Sequence, residues 1–158
     1  VNENVGDVLR LARRYDEAIE QLRKTLDLDP DFAPAHTTLA AAYEDNGMYD
    51  KAITERLKVA PPEQALALKE AYIKSGMRGF WEKQLELAIE RSMQTYVSPY
   101  NIAWLYAILG EKDEAFAWLE KAYAEHSIHF TYLRADTSFE SLRSDPRFSA
   151  LLKTVGLE

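Results

Sequence analysis

The sequence predicts an all-α fold, an α-α solenoid of about four helix pairs closed by a short helical cap. Three observations carry that expectation. Apolar residues recur at i, i+3, i+4 and i+7 along most of the chain, as in Ala18, Ile19, Leu22 and Leu26. Alternation of the kind that marks half-buried strands is missing, apart from short ambiguous pieces near His129–Leu133. Certain residue types also return at one set of intervals. Val5, Leu39, Leu68 and Ile102 are spaced by 34, 29 and 34 residues. Leu9, Tyr43, Tyr72 and Tyr106 follow the same intervals, as do Arg13, Gly47, Gly76 and Gly110.

The columns have a physical meaning. Gly6, Ala40 and Ala103 share a position and leave a notch for close helix approach; Lys69 breaks that column. Ala18, Ala52 and Ala115 fall where the second helix of a pair would cross the first, with Trp81 in the third copy. Leu22, Leu85 and Leu119 pack further along, with Arg56 in the second copy. Glycine after the first helix ends it through a left-handed backbone. First helices are expected over 2–13, 32–46, 63–76 and 99–109, and second helices over 15–28, 49–59, 78–95 and 112–125. Asp31 is expected to cap the second pair, and Ser98 with Pro99 to open the fourth. The second repeat is five residues short. Its second helix therefore has to stop early, before Pro61-Pro62, which predicts a local kink or opening between repeats two and three.

These columns resemble the tetratricopeptide repeat family, whose 34-residue unit is a helix–turn–helix. The resemblance covers residues 1–125, as units 1–30, 31–61, 62–95 and 96–125, and implies a right-handed superhelix. Residues 126–158 leave the register and read as a capping segment, with Asp145-Pro146 opening a last helix and Phe148, Leu151, Leu152 and Val155 on its apolar stripe. The closing LRSDPRFSALLKTVGL is similar to the ends of many bacterial tetratricopeptide proteins, in which the array follows a winged-helix DNA-binding or protein-kinase domain. That likeness, with Val1 in place of Met, implies the C-terminal arm of a longer regulator.

Composition narrows the function. The chain has 158 residues, a net charge of −7 and no cysteine. Residues 1–79 carry 11 Lys+Arg against 14 Asp+Glu, and residues 80–158 carry 8 against 12, so neither half offers a basic nucleic-acid surface. Thiolate metal sites and disulfides are excluded. The longest apolar run, Ile102–Leu109, is far short of a membrane span. A soluble chain is expected, the cytoplasm being favoured although no residue fixes the compartment.

No enzymatic constellation is present in the sequence. Gly76 and Gly79 are not followed by the Lys-Ser/Thr of a phosphate loop, and no Gly-x-Ser-x-Gly occurs. His126 and His129 could share a helix face, with Asp136 as a distant third ligand, but no Glu follows His126 as in zinc proteases. No cofactor, metal or catalytic group is expected.

In the resembling family the first helix of each pair lines a concave face where peptides lie. Carried over by position, that face holds Glu3, Asp7 and Arg10; Thr37, Ala41 and Glu44; Glu63, Leu66, Glu70 and Ile73; and Tyr100, Asn101 and Trp104. The family's carboxylate clamp of Lys, Asn and Arg is replaced here by Glu3, Asp7, Thr38, Glu63 and Ala67. The expected partner is therefore a protein or peptide, basic or mixed in charge, anchored on Tyr100 and Trp104. The competing reading of Leu66 and Ile73 is packing on a neighbouring helix. For Trp104 it is burial under Phe130, Tyr132 and Phe139. Self-association through Phe80 and Trp81 is the alternative use of the chain.

Overall fold

In the computed structural model, residues 3–134 and 136–157 are described, without the side chains of Glu3, Asn4, Ile128 and Tyr132. The helical periodicity is realised as α1 (Glu3–Leu11), α2 (Tyr15–Leu28), α3 (Ala33–Asp45), α4 (Tyr49–Val59), α5 (Pro62–Ser92), α6 (Pro99–Leu109), α7 (Lys112–Ala124) and α8 (Pro146–Thr154). Two 3₁₀ segments, Ile128–Tyr132 and Thr137–Leu142, lie between α7 and α8. The ambiguous stretch near His129 is thus 3₁₀, and no strand occurs among the described residues. The fold is all-helical, of the α-α solenoid class.

Residue contacts divide the chain into Val1–Met77 and Arg78–Glu158. The division falls inside the third helix pair, not between pairs. There the expected break is present, as a kink without a separate loop: two helical stretches meet at Ser75 (φ −140°, ψ 18°) and Gly76 (φ 62°, ψ −153°). Gly76 adopts a backbone that L side chains almost never reach, so glycine is required there. The glycine column behaves differently elsewhere, since Gly110 takes the ordinary left-handed cap (φ 81°, ψ 9°). Arg13 stands in that column without glycine's freedom and still takes φ 60°. As expected from the short second repeat, α4 stops early, with 11 residues against 14 in α2 and 13 in α7. The sharpest departure of the backbone nevertheless lies one helix later.

In the first unit α1 packs on α2, α2 on α3, and α3 on α4. Its core joins Ala18, Ile19 and Leu22 of α2 to Ala35, Leu39, Ala42 and Tyr43 of α3 and Ala52 of α4. The expected notch is real: a Cβ on Gly6 would lie 2.5 Å from Leu22 Cγ. The cap at Asp31 is not formed. Phe32 holds the N-cap position of α3 and no side chain caps it. Pro34 follows in the first turn and removes one of the orphan donors, which lowers the need for a cap. Arg56, in a column otherwise apolar, is accommodated by a paired geometry: Nε and Nη2 lie 2.9 and 3.1 Å from the two Glu44 carboxylate oxygens.

In the second unit α6 and α7 form the last pair, and the tail folds back over them. Tyr100, Ala103 and Ala107 of α6 share a core with Ala115, Phe116, Leu119 and Ala122 of α7 and with Phe130, Leu133, Phe139, Leu142 and Phe148. Ser98 and Pro99 open α6 as expected by position, but the Ser98 hydroxyl makes no cap bond. Asp145 does cap α8, its Oδ1 accepting from the Arg147 amide at 3.0 Å.

Candidate partner-binding face

The first helices present the candidate face, and the two units treat it differently. In the first unit, α1 and α3 lie side by side, and an ion pair crosses between them. Arg10 donates to Asp45 at 3.0 Å and to Asp7 at 3.1 Å. Both acids and the arginine are thereby committed to each other. Burial acts against the Arg10 charge, but the two carboxylates more than offset it and its pKa is raised. Glu44 is committed as well, through Arg56, with the two side chains 20% and 10% exposed. Thr37 turns its hydroxyl back to the Ala33 carbonyl at 3.0 Å. Ala41 is half-buried and adds no polar group. The Glu3 side chain lies outside the described residues.

Of the acids expected at α1, Asp7 is thus ion-paired within the fold, although its side chain stays partly exposed. It is α5 that carries open chemistry. Leu66 is 67% exposed and Ile73 is 72% exposed, so neither packs on a neighbouring helix as the competing reading required. Glu63 and Glu70 lie on the same side of α5, both exposed, and no ion pair joins either of them among the described residues. The spacing 63, 66, 70, 73 is one helical face. Lys69 and Lys74, both exposed, stand at its two edges. Tyr72, on the other side of α5, donates its hydroxyl to Asp50 at the start of α4 at 2.7 Å. Sharing that proton with a carboxylate pushes the phenol up to about 12.

In the second unit the same face is filled. Repeat register makes Tyr100 the counterpart of Thr37 and Leu66, Trp104 that of Ala41 and Glu70, and Ala107 that of Glu44 and Ile73. Tyr100 is only 6% exposed. Its ring meets Phe130 and Phe139 edge-on at 5.8 and 5.5 Å and His129 at 5.5 Å. Burial, with Asp136 nearby, raises the Tyr100 pKa. The Ala107 carbonyl accepts the Ser141 hydroxyl at 3.0 Å. Tyr100 is consequently a core residue, and its expected role as an exposed anchor is overturned. The tail covers Tyr100, and Trp104, the residue expected beneath it, packs against the same core but is only partly buried. Trp104 is half-buried, edge-on to Trp81 at 5.3 Å, while Asn101 is exposed. The side chain of Tyr132, also expected over Trp104, lies outside the described residues.

The self-association patch is overturned too. Phe80 and Trp81 are buried, at 0% and 7% exposure, and pack edge-on at 5.0 Å. Their position just after the break at Gly76 suggests exposure from the sequence, but the pair turns inward, with Trp81 edge-on to Trp104. His126 lies just beyond α7 and His129 in the first 3₁₀ segment against Tyr100. Among the described residues no three His, Cys, Asp or Glu side chains gather as a metal site. Among them also, no helix is long and apolar enough to cross a membrane.

Sequence reasoning missed the two arginine pairs and the seat of the tail. A signal for one pair was available: Arg56 in an apolar column needs a carboxylate, and Glu44 is the acid on the preceding helix that can reach it. The tail's seat had a weaker signal, the apolar spacing of Phe139 and Leu142 outside the repeat register.

Residues 6–47 match a family model described as TPR repeat, and residues 100–124 match one described as tetratricopeptide repeat. One match falls in each unit, and the two support the tetratricopeptide repeat family. No curated protein and no solved structure matches the chain. Tetratricopeptide repeats generally mediate protein–protein interaction.

Proposed function

We propose, from tetratricopeptide repeats in both units, that this chain is a protein-interaction module whose docking surface is the first-helix face of the first unit. The observation that carries the reading is the exposure of Leu66 and Ile73. Two large aliphatic side chains in water on one helix face are a standing source of binding energy, roughly 1.5–3 kcal/mol for each when fully covered. The surrounding geometry supports the same reading. Thr37 and Ala41 on the neighbouring first helix are small, and the ion pairs of Arg10 and Arg56 hold their partners back in the fold. Trp104 and Asn101 are the remaining accessible candidates in the second unit, without the buried Tyr100.

The test is selection from a displayed peptide library on the whole chain, repeated on a Leu66→Ser, Ile73→Ser double variant. Both residues are solvent-exposed, so the variant folds; circular dichroism checks that. Peptides that bind the parent and lose binding to the variant support the reading. Selected peptides indifferent to both substitutions, or no selected peptide at all, overturn it.

A further inference from the structure

Of the four asparagines in the sequence, only Asn46 is followed by glycine. The pair closes α3. Asn46 is the C-cap (φ −93°, ψ 6°), and Gly47 takes the left-handed position after it (φ 73°). The Met48 amide donates to the Tyr43 carbonyl at 2.8 Å and the Gly47 amide to the Glu44 carbonyl at 3.0 Å, the Schellman pattern of a helix end. The half-buried Asn46 side chain reaches back to the first turn of α2, where its Nδ2 donates to Asp16 Oδ1 at 3.2 Å. An ionised Asp16 only accepts, so the amide nitrogen and not the amide oxygen faces it.

An Asn-Gly bond carries its own reactivity. The backbone nitrogen after asparagine is placed to attack the side-chain amide carbon, and glycine puts no side chain in the way. The surroundings of Gly47 are open too: a Cβ built there would meet nothing within 4 Å among the described residues. In the attack a bond forms between the Gly47 nitrogen and Asn46 Cγ, and the Cγ–Nδ2 bond breaks. Nδ2 leaves as ammonia, taking up the proton that the Gly47 nitrogen gives away. The product is a cyclic imide. Water then opens it at either carbonyl. One opening gives aspartate; the other gives isoaspartate, in which the main chain runs through Cγ. Water is the only co-reactant, and nothing is oxidised or reduced.

The fold holds both reacting groups. The attacking nitrogen is bonded to the Glu44 carbonyl, and the leaving nitrogen to Asp16. Asp16 and Gly47 are exposed, and an exposed helix end opens locally at little cost. We propose that Asn46 is a site of spontaneous deamidation, that its bond to Asp16 is the latch that slows the reaction, and that conversion loosens the first unit. Conversion puts a carboxylate where an amide faced Asp16, so an attraction between α2 and α3 becomes a repulsion. The new charge also sits beside Asp45, at the negative end of the α3 dipole. Isoaspartate lengthens the main chain inside the cap and disrupts the Schellman bonds.

The whole chain is incubated at mildly alkaline pH, and the fragment spanning Asn46 is followed by mass spectrometry, with aspartate and isoaspartate resolved by chromatography. A synthetic peptide of residues 42–51 supplies the unlatched rate. The whole chain is expected to convert at Asn46, roughly tenfold more slowly than the peptide, since two hydrogen bonds have to open first. Asp16→Ala is expected to speed conversion about fivefold. Glu17→Ala is the control: it alters the same turn of α2 but removes a bond to Arg14, and should leave the rate unchanged. Asn46→Asp stands for the converted chain and should melt about 2–4 °C below the parent, and below Asn46→Ala, which loses the bond without adding charge. Conversion of the peptide but not of the whole chain overturns the proposal, as does conversion of both at one rate. An Asp16→Ala rate equal to that of the parent or of Glu17→Ala removes the latch. An Asn46→Asp chain as stable as the parent removes the loosening.

Discussion

The first-helix face of the first unit and that of the second are the same repeat positions put to opposite uses. In the second, Tyr100 is sealed beneath Phe130 and Phe139, and Ala107 is bonded to Ser141. In the first, Leu66 and Ile73 stand in water, while Arg10 and Arg56 are tied to carboxylates of α3. The helix pair alone does not determine which outcome follows. What decides it is whether the chain supplies a segment to cover the face. A repeat position is thus core or exposed surface according to its neighbours, and the residue types differ: an aromatic where it is covered, an aliphatic among charged side chains where it is open.

The largest expected effect tests whether the tail is an integral part of the second unit. Phe139→Ala removes a fully buried ring and is expected to destabilise by about 3–5 kcal/mol. Thermal melting should report it, with acrylamide quenching showing newly accessible aromatic residues. Leu66→Ala in the first unit should change the melting temperature little, because that side chain is already solvated. A Phe139→Ala chain as stable as the parent would erase the contrast between the faces.

A medium effect tests how the first unit accommodates the Arg56–Glu44 pair between α3 and α4. Glu44→Gln removes the carboxylate charge facing the Arg56 guanidinium, which is only 10% exposed, and is expected to cost about 1–3 kcal/mol. Arg56→Leu restores the apolar type that the other copies carry. It frees Glu44, which is 20% exposed and can turn to water, so its cost should be smaller. Denaturant titration of both variants checks the order. A larger loss from Arg56→Leu than from Glu44→Gln would show that the arginine stem packs in a way leucine cannot replace.

Much of this architecture was legible in the sequence, for a physical reason. Close helix packing needs a small residue at the crossing and a bulky one beside it, so Leu39–Ala40 and Ile102–Ala103 announce the pairs. The helix bounds followed to within a few residues. The site was legible only as positions. Whether Tyr100 is exposed depends on Phe139, far away in sequence and outside the repeat register. Whether Asp7 is available depends on Arg10 reaching Asp45 on another helix. Pairings of this kind leave no periodic trace. The same holds for Phe80 and Trp81, whose burial just beyond the break at Gly76 depends on partners such as Trp104, distant in sequence.

Gly6 and Ala103 offer a smaller comparison within one column. Both are buried at helix crossings, but the first unit has used the extra space for Leu22. Gly6→Ala puts a methyl group within 2.5–3.0 Å of three Leu22 side-chain carbons, so Leu22 has to shift. The overpacking costs about 1–3 kcal/mol, against about 1 kcal/mol gained from helix propensity. A net loss of roughly 1 kcal/mol is expected on melting. A stabilised Gly6→Ala chain would mean that α1 yields readily, and that the glycine is not needed for the approach of α1 to α2.

The smallest expected effect concerns α8, which belongs to the covering of the second unit and has no counterpart in the first. Asp145 caps it, accepting from the Arg147 amide and pairing with the Arg147 side chain at 2.8 Å. The Arg147 side chain and then its amide hold the Asp145 carboxyl down to about 2. The sign follows from linkage. A carboxyl with a folded-state pKa below its unfolded value of about 3.9 stabilises the fold while ionised. That contribution is full above about pH 4 and is lost as pH falls through about 2. Carboxyl carbon shifts followed by NMR should place the Asp145 midpoint near 2, with the α8 amides shifting together with it. Asp145→Asn keeps a cap acceptor but removes the charge, so it should abolish this acid dependence while leaving α8 folded at neutral pH. An Asp145 midpoint near that of an ordinary aspartate would mean that Arg147 is held by Asp113 instead, 2.8 Å away, and that the cap works without the ion pair.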